Sequence, residues 1–323
     1  MVLNRALTFC KEPQGMPVAG QDIKVLHNEF DADSVPTAGG FTATVLYASF
    51  DPYLRHRMTI SRPTEFPPFA LGSPIVSTVI VKVLSASPDK GFQVNSILIG
   101  RGPIQEFIHV DVSAARGFRP VQNPWSLDLK FFLGPLGIPG KTAFTFFYEA
   151  AQPKKGDTIF ITSASGAVGQ VVGQLAKIEG MKVIGSAGSD EKVKILREQL
   201  QFDRAFNYKK VDVLEELRKL APEGLDVFYD NAGGVQLEAA IECMKELGRI
   251  GKRLVWRGLS INHDGLGDRY AEKYMQTVSK LIHDGSIKPL LAVTKGIDNG
   301  AEGLISLFKG ENVGKALLQI SSE

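Results

Sequence analysis

Cysteine is scarce in this chain: among 323 residues there are two, Cys10 and Cys243. Two thiols so far apart in sequence cannot build a thiolate zinc cluster, and they are expected as reduced core or surface thiols of a cytosolic protein. No long apolar run is present either. The most apolar region, Phe131 to Ala151, is broken by Gly134, Pro135, Gly137, Pro139, Gly140 and Lys141, so no spanning helix is predicted. The opening MVLNRALTFCKEP lacks the apolar core and cleavage pattern of a signal peptide, and a cytoplasmic location is expected. Charge of one sign is not in excess: the net charge is +2, with no block of like charges, which gives little support to a nucleic-acid partner or a polybasic membrane role. There is no internal repeat, no low-complexity segment, and no catalytic triad or carboxylate pair of convincing spacing. What remains is an ordinary globular composition, 44% hydrophobic and 22% charged, in a chain longer than one core fills comfortably. Two domains are therefore expected.

The most informative stretch runs from Ile159 to Lys192. An apolar β-rich run, Ile159-Phe160-Ile161, meets a glycine turn, Ala164-x-Gly166-x-x-Gly169, and a helical apolar pattern follows at Val172, Leu175, Ala176 and Ile178. Strand, tight turn, helix and strand in this order predict a dinucleotide-binding βαβ unit. Its glycines let the backbone approach a pyrophosphate, and its helix N-terminus supplies N–H groups and a positive dipole end. The alternative is a plain strand–helix turn.

An NAD site usually places a carboxylate about 20 residues on, at the tip of the second strand, to hold the ribose 2′-hydroxyl. Here that strand, Lys182 to Ala187, ends in Ala187-Gly188-Ser189 with no acid at the tip. Asp190 and Glu191 lie just beyond, where carboxylates favour a helix start. Lys192 could turn its ammonium toward a 2′-phosphate, or stand as a solvated helix lysine. The missing acid points to NADP(H).

The first 120 or so residues are β-rich, with alternating runs at Thr42–Tyr47, Ile75–Leu84, Ser96–Ile99 and Glu106–Val110 between Pro, Gly, Asp and Ser turns. They predict a small barrel-like domain. From about Thr142 strands and helices alternate. Strands are expected at Thr158–Ser163, Lys182–Ala187, Ala205–Asn207 and Leu225–Tyr229, with helices at Val168–Glu179, Glu191–Leu200, Val213–Leu220 and Val235–Leu247. The fold class is therefore α/β, with a Rossmann-type doubly wound parallel sheet beside a β-rich domain. A further helix is expected over Arg269–His283, and the tail returns to β runs at Leu290–Val293 and Ala316–Ile320 around a helix near Ala301–Phe308.

Seven motifs in order resemble those of the zinc-independent medium-chain dehydrogenase/reductase superfamily, over nearly the whole chain. They are Asp51–Met58 (DPYLRHRM), Leu136–Phe144 (LGIPGKTAF), Thr162–Gln170 (TSASGAVGQ), Ser186–Lys192 (SAGSDEK), Ala205–Lys209 (AFNYK), Tyr229–Gly234 (YDNAGG) and Asn312–Lys315 (NVGK). The most similar branch is that of NADPH-dependent alkenal/enone double-bond reductases, leukotriene B4 dehydrogenase/prostaglandin reductase-like proteins among them. The resemblance implies a GroES-like substrate domain from 1–121 and 287–323 and a Rossmann NADP(H) domain from 122–286. It implies Gly166, Ala167 and Val168 over the pyrophosphate, and Gly188, Lys192 and Tyr208 at the 2′-phosphate. It also implies Asn231 near the ribose or nicotinamide, Asn312 reaching the cofactor from the tail, and Tyr53 in the substrate pocket. For Tyr53 and Tyr208 ordinary half-buried packing is the competing reading, and for Asn231 a turn residue before Gly233-Gly234.

The chemistry so implied is hydride transfer from NADPH to the β-carbon of an α,β-unsaturated aldehyde or ketone. A hydrogen-bond donor would face the carbonyl oxygen, and solvent or a nearby acid would protonate the α-carbon. It needs no metal.

The chain departs from the family after Gly248-Arg249-Ile250-Gly251. Lys252–Gly258 (KRLVWRG) resembles a later strand, so a strand end, a loop carrying a serine and a tyrosine, and a connecting helix are missing. That tyrosine is the residue the family places near the substrate carbonyl. Three readings follow: a damaged enzyme; a shortened loop with Tyr53, Tyr47 or His56 as donor; or a cofactor fold that has lost reduction. In the last case the protein would guide a non-redox cyclisation or isomerisation of a natural-product intermediate, or serve as a noncatalytic NADPH sensor. His56, where the family has glycine, is either a proton donor or a structural or solvated histidine. The first domain departs too, at Asn95-Ser96 and Gln105-Glu106-Phe107. The resemblance implies a possible homodimer, although the missing segment adjoins the sheet edge such dimers use.

Overall fold

Three short runs in the second half of the chain, Thr158–Ile161, Lys182–Ala187 and Leu225–Asp230, are buried at nearly every position, as strands covered on both faces must be. In a computed structural model, which describes every residue except 33, 35–38, 62–66, 88–91, 253–264 and 323, and the side chains of 247 and 250–252, they form the centre of a parallel sheet. The strand order is 204–207, 182–187, 158–161, 225–230, 244–252. The chain thus leaves strand 158–161 in one direction, then returns to its other side with 225–230. In such sheets a ligand binds outside the carboxyl ends of the strands where the order reverses. Phe160 anchors the core, its ring stacked on Phe206 at 5.8 Å and on Phe228 at 5.5 Å.

Helix Gly169–Ile178 lies close to the sheet because glycines allow it. A Cβ on Gly173 would stand 2.0 Å from Cζ of Phe202, a ring that also packs against Gly185. Two buried glutamines on the same helix, Gln170 and Gln174, clamp the segment between helix Leu266–His283 and strand Leu291–Lys295. Each side chain accepts from one backbone N–H and donates to the carbonyl of the same residue, Leu290 and Lys288 respectively.

Most expected elements are present within a residue or two. The helix predicted at Val235–Leu247 is the main correction. It stops at Glu242, and Met244–Lys252 is a strand pairing parallel with Leu225–Asp230. Met, Lys, Glu and Leu are good helix formers, but the open sheet edge offers backbone partners at Met244 and again over Arg249–Lys252, with a register shift between them, and tertiary pairing overrides propensity. Gly251 and Lys252 are the last residues of that strand, while the remainder of the KRLVWRG segment lies outside the described residues.

The chain divides into two compact units, Trp125–Leu290 and Met1–Pro124 with Leu291–Glu323. The second of these is a mixed β structure. A seven-stranded sheet runs in the order 291–295, 315–319, 41–49, 76–86, 97–103, 119–120, and 107–110 also pairs with 41–49. Strands Val2–Phe9 and Ile23–Phe30, unforeseen from the sequence, pair antiparallel in a three-stranded sheet with 73–74. Leu7, Phe9, Phe41, Val45, Phe50 and Leu54 lie in one core that the tail completes with Leu304 and Leu318.

Candidate functional site

At the switch point the carboxyl ends of the two central strands are tied together. Thr162 Oγ1 donates to Asp230 Oδ1 at 2.7 Å and accepts the N–H of Asn231 at 2.6 Å. The same carboxylate oxygen takes the N–H groups of Ala232 and Gly233, both at 2.8 Å. Asn231 is exposed, and its Nδ2 donates to the Thr162 carbonyl at 2.9 Å. It is a turn residue, as one reading held, and the turn also fixes its amide at the crevice. Asp230, buried at 2% exposure, does the fixing and was missed as a site residue. Its signal was present as the acid of YDNAGG.

Gly166, Ala167 and Val168 form the turn between strand 158–161 and helix 169–178. The turn is tight: Ser163 adopts φ +47°, and its carbonyl accepts the Gly166 N–H at 2.9 Å. A Cβ on Gly169 would lie 2.7 Å from that same oxygen, so the helix can begin there only with glycine. Val168 supplies no side-chain cap, which leaves the helix N-terminus to be completed by something other than a cap. Backbone N–H groups at such an end suit an anionic group.

The tip of strand 182–187 carries a second polar cluster. Ser189 caps helix Asp190–Glu198, accepting the Lys192 N–H at 3.3 Å. Asp190, just past the strand tip, is tied to Asn207, the residue paired with Ala187 at the end of the neighbouring strand. Its carboxylate accepts from Asn207 Nδ2 at 2.9 Å and from Lys210 Nζ at 2.5 Å, and these bonds hold it below the usual carboxylate range. Gly188 stands beneath Tyr208 and Lys209: a Cβ there would be 3.5 Å from the Tyr208 hydroxyl and 3.6 Å from Lys209 Nζ. Lys192 is partly buried on the first turn of the helix. The structure thus gathers Gly188, Lys192 and Tyr208 around one turn, and adds Lys209. An absent Cβ with a phenol and the Lys209 ammonium beside it fits a phosphate monoester, which needs donors and positive charge but no acid.

The DPYLRHRM motif forms a short helix, Tyr53–Arg57, in the other unit. Buried Lys315, from the NVGK motif, reaches it from the tail. Its Nζ donates to the Phe50 carbonyl and to Asp51 Oδ1, the latter at 2.7 Å. Ser49 Oγ donates to the other Asp51 oxygen at 2.5 Å. Tyr53 is half-buried against the unit's core, and burial, followed by the charge of Asp51, raises its phenol above the ordinary tyrosine range. It stays protonated at neutral pH and keeps a proton to donate. His56, three residues on, has different surroundings. It is exposed and lines an open cavity of about 470 Å³ with Met16, Arg55, Phe308 and Lys309, a cavity whose lining does not include Tyr53. Tyr47, the other candidate donor, is buried at 2% within strand 41–49. Asn312 donates through Nδ2 to the Gly314 carbonyl at 2.7 Å, bracing its own turn.

The sequence matches two family models, one described as the N-terminal domain of oxidoreductase over residues 5–121 and one as zinc-binding dehydrogenase over 167–251. Among the described residues no group of three or more His, Cys, Asp or Glu is arranged to hold a metal ion. An NADP-dependent oxidoreductase, RED1, of Cochliobolus heterostrophus is 40% identical over 348 positions, covering 99% of each chain. That alignment is longer than the present chain, so the relative carries residues this chain lacks. A 2-alkenal reductase (NADP(+)-dependent) of Nicotiana tabacum is 35% identical over 86% of each chain, and (+)-pulegone reductase of Mentha piperita 33% identical over 88% of this chain and 89% of its own. The crystal structure of CurA in complex with NADPH from Vibrio vulnificus shares the fold, with a TM-score of 0.87 at 24% identity over 99% of this chain and all of the other. No described helix is long and apolar enough to cross a membrane. The chain belongs to the medium-chain dehydrogenase/reductase superfamily, among its NADP-dependent oxidoreductases.

Proposed function

We propose that the protein reduces the carbon–carbon double bond of α,β-unsaturated aldehydes or ketones with NADPH. The observation that carries the reading is the match, over most of each chain, to relatives named for 2-alkenal and pulegone reduction. In this reading residues 122–286 hold the cofactor, and 1–121 with 287–323 form a GroES-like unit that holds the substrate. Gly166, Ala167 and Val168 receive the pyrophosphate, Gly188, Lys192 and Tyr208 the 2′-phosphate, Asn231 the ribose or nicotinamide side, and Asn312 reaches the cofactor from the tail. When bound, NADPH supplies the hydride that the β-carbon accepts.

The chain's own work is orientation and charge. Negative charge develops on the substrate's carbonyl oxygen, and a donor aimed at it lowers the barrier. Tyr53 is the assigned donor: its phenol is kept protonated by burial and by Asp51, and its helix is pinned through Asp51 to Lys315. His56, exposed and outside the surroundings of Tyr53, is the second candidate for a proton transfer, to the α-carbon.

The test is NADPH consumption with product analysis over a graded set of enals and enones. A saturated carbonyl product in step with NADPH loss is expected. A folded, NADPH-binding protein that yields no saturated product across the panel, or a product without NADPH loss, sinks the reading. Tyr53→Phe should lower kcat/KM by about 10²-fold and leave NADPH affinity unchanged; unchanged kcat/KM removes Tyr53 from the role.

A further inference from the structure

The adjacent lysines 209 and 210 have different surroundings. Lys210 Nζ is committed to Asp190 Oδ2 at 2.5 Å, while Asn207 Nδ2 takes the other oxygen of that carboxylate at 2.9 Å. Asn207 also accepts the Lys209 N–H through Oδ1 at 3.1 Å, so one amide braces both the acid and the backbone from which Lys209 projects. Lys209 Nζ then lies 3.6 Å from the point a Cβ on Gly188 would occupy, beside the Tyr208 hydroxyl at 3.5 Å. Among the described residues no carboxylate lies within ion-pair distance of Lys209.

We infer that Lys209 is a second cationic contact for the cofactor's 2′-phosphate, and that Lys210 keeps Asp190 from opposing it. The inference rests on reading Gly188, Lys192 and Tyr208 as the 2′-phosphate turn, and it adds two residues to it. A phosphate monoester carries nearly two charges at neutral pH and accepts from several donors at once, so one lysine does not exhaust it. A ribose hydroxyl has no charge, and Lys209 offers it little. Asp190 stands where a carboxylate could favour that hydroxyl and repel the phosphate. The hydrogen bonds from Lys210 and Asn207 occupy both of its oxygens and Lys210 offsets its charge, so cofactor choice depends on a paired acid as well as on the lysines of this turn.

Calorimetric binding of 2′,5′-ADP and of 5′-ADP to the full chain tests this without any turnover. Lys209→Met should weaken 2′,5′-ADP about tenfold, change 5′-ADP less than about twofold, and be largely rescued by Lys209→Arg. Lys210→Met should weaken 2′,5′-ADP about threefold, and Asp190→Asn in the same chain should reverse that loss. Equal weakening of both probes by Lys209→Met, or no change in either, overturns the inference. Lys192→Ala separates it from the reading beneath. If that variant weakens 2′,5′-ADP while Lys209→Met does not, only the role of Lys209 falls. If neither does, the assignment of the whole turn falls with it.

Discussion

At the scale of single residues, the chain commits a buried charge where none was visible in sequence. Lys315 is 1% exposed, and burial lowers its ammonium from the ordinary lysine range while Asp51 works to keep the proton on. Replacing one member of such a pair strands the other. Lys315→Met should cost about 3–5 kcal/mol in denaturant unfolding, because the Asp51 carboxylate keeps only Ser49 as a described side-chain partner. Lys315→Met with Asp51→Asn should recover a good part of that loss, since no unpaired charge then remains. A single variant as stable as the parent would show that the pair does not hold the turn. So would a double variant no better than the single. The NVGK and DPYLRHRM motifs were recognisable as motifs, yet nothing in either says that the lysine of one neutralises the aspartate of the other. That pairing is a property of strand 315–319 lying beside 41–49.

At the scale of elements, legibility followed the source of each element's stability. Helix Val213–Leu220 and strand Lys182–Ala187 were readable to the residue because their own patterns and caps decide them. Strand Met244–Lys252 was not, because its residues favour a helix and only a neighbouring edge makes them a strand. Val2–Phe9 was missed for a related reason: its inward residues meet distant partners, such as Phe69 against Phe9 at 6.1 Å, 60 positions away. Of the candidate site, the glycine turn was legible from local spacing. That Asp230 ties its turn to Thr162, and that Lys209 stands beside Gly188, was not, since each contact joins residues from two different strand ends. Two tests belong here. Gly173→Ala drives a methyl into the Phe202 ring and should destabilise by about 1–3 kcal/mol, with Phe202→Leu in the same chain relieving it; equal losses in the single and double variants would place the strain elsewhere. Glu106, in the Gln105-Glu106-Phe107 departure, braces strand Val2–Phe9. Burial opposes its charge, but hydrogen bonds from Arg5, one at 2.6 Å, outweigh that and leave the carboxyl below its usual value. A carboxylate lowered in the folded state adds stability above its unfolded pKa and loses it as pH falls through the folded one. Arg5→Ala should therefore cost about 1 kcal/mol at neutral pH and progressively less on the acid side of the ordinary glutamate range. A loss that does not shrink with acid would mean that Arg5 contributes by packing alone.

At the scale of the whole molecule, the two units are built differently along the chain. Trp125–Leu290 is continuous, and its sheet draws all five strands from within it. The other unit is assembled from both ends, and its tail strands 291–295 and 315–319 complete a sheet begun by residues 41–110. Burying apolar surface must offset the entropy of ordering the chain, and a fragment that lacks part of its core fails that balance. A fragment of residues 125–290 should therefore unfold cooperatively and bind 2′,5′-ADP, because Gly166, Gly188, Lys192, Tyr208 and Lys209 all lie within it. A fragment of residues 1–124 lacks Ile297, Leu304 and Leu318 of its core, and strand 41–49 loses the partner that Lys315 anchors. It should show no cooperative transition until a peptide of residues 291–323 is added, and then regain one whose midpoint rises with peptide concentration, as binding to the folded state alone requires. Cooperative unfolding of residues 1–124 alone would mean that the tail decorates this unit rather than completing it, and the buried Lys315–Asp51 pair would then have to be dispensable for folding as well.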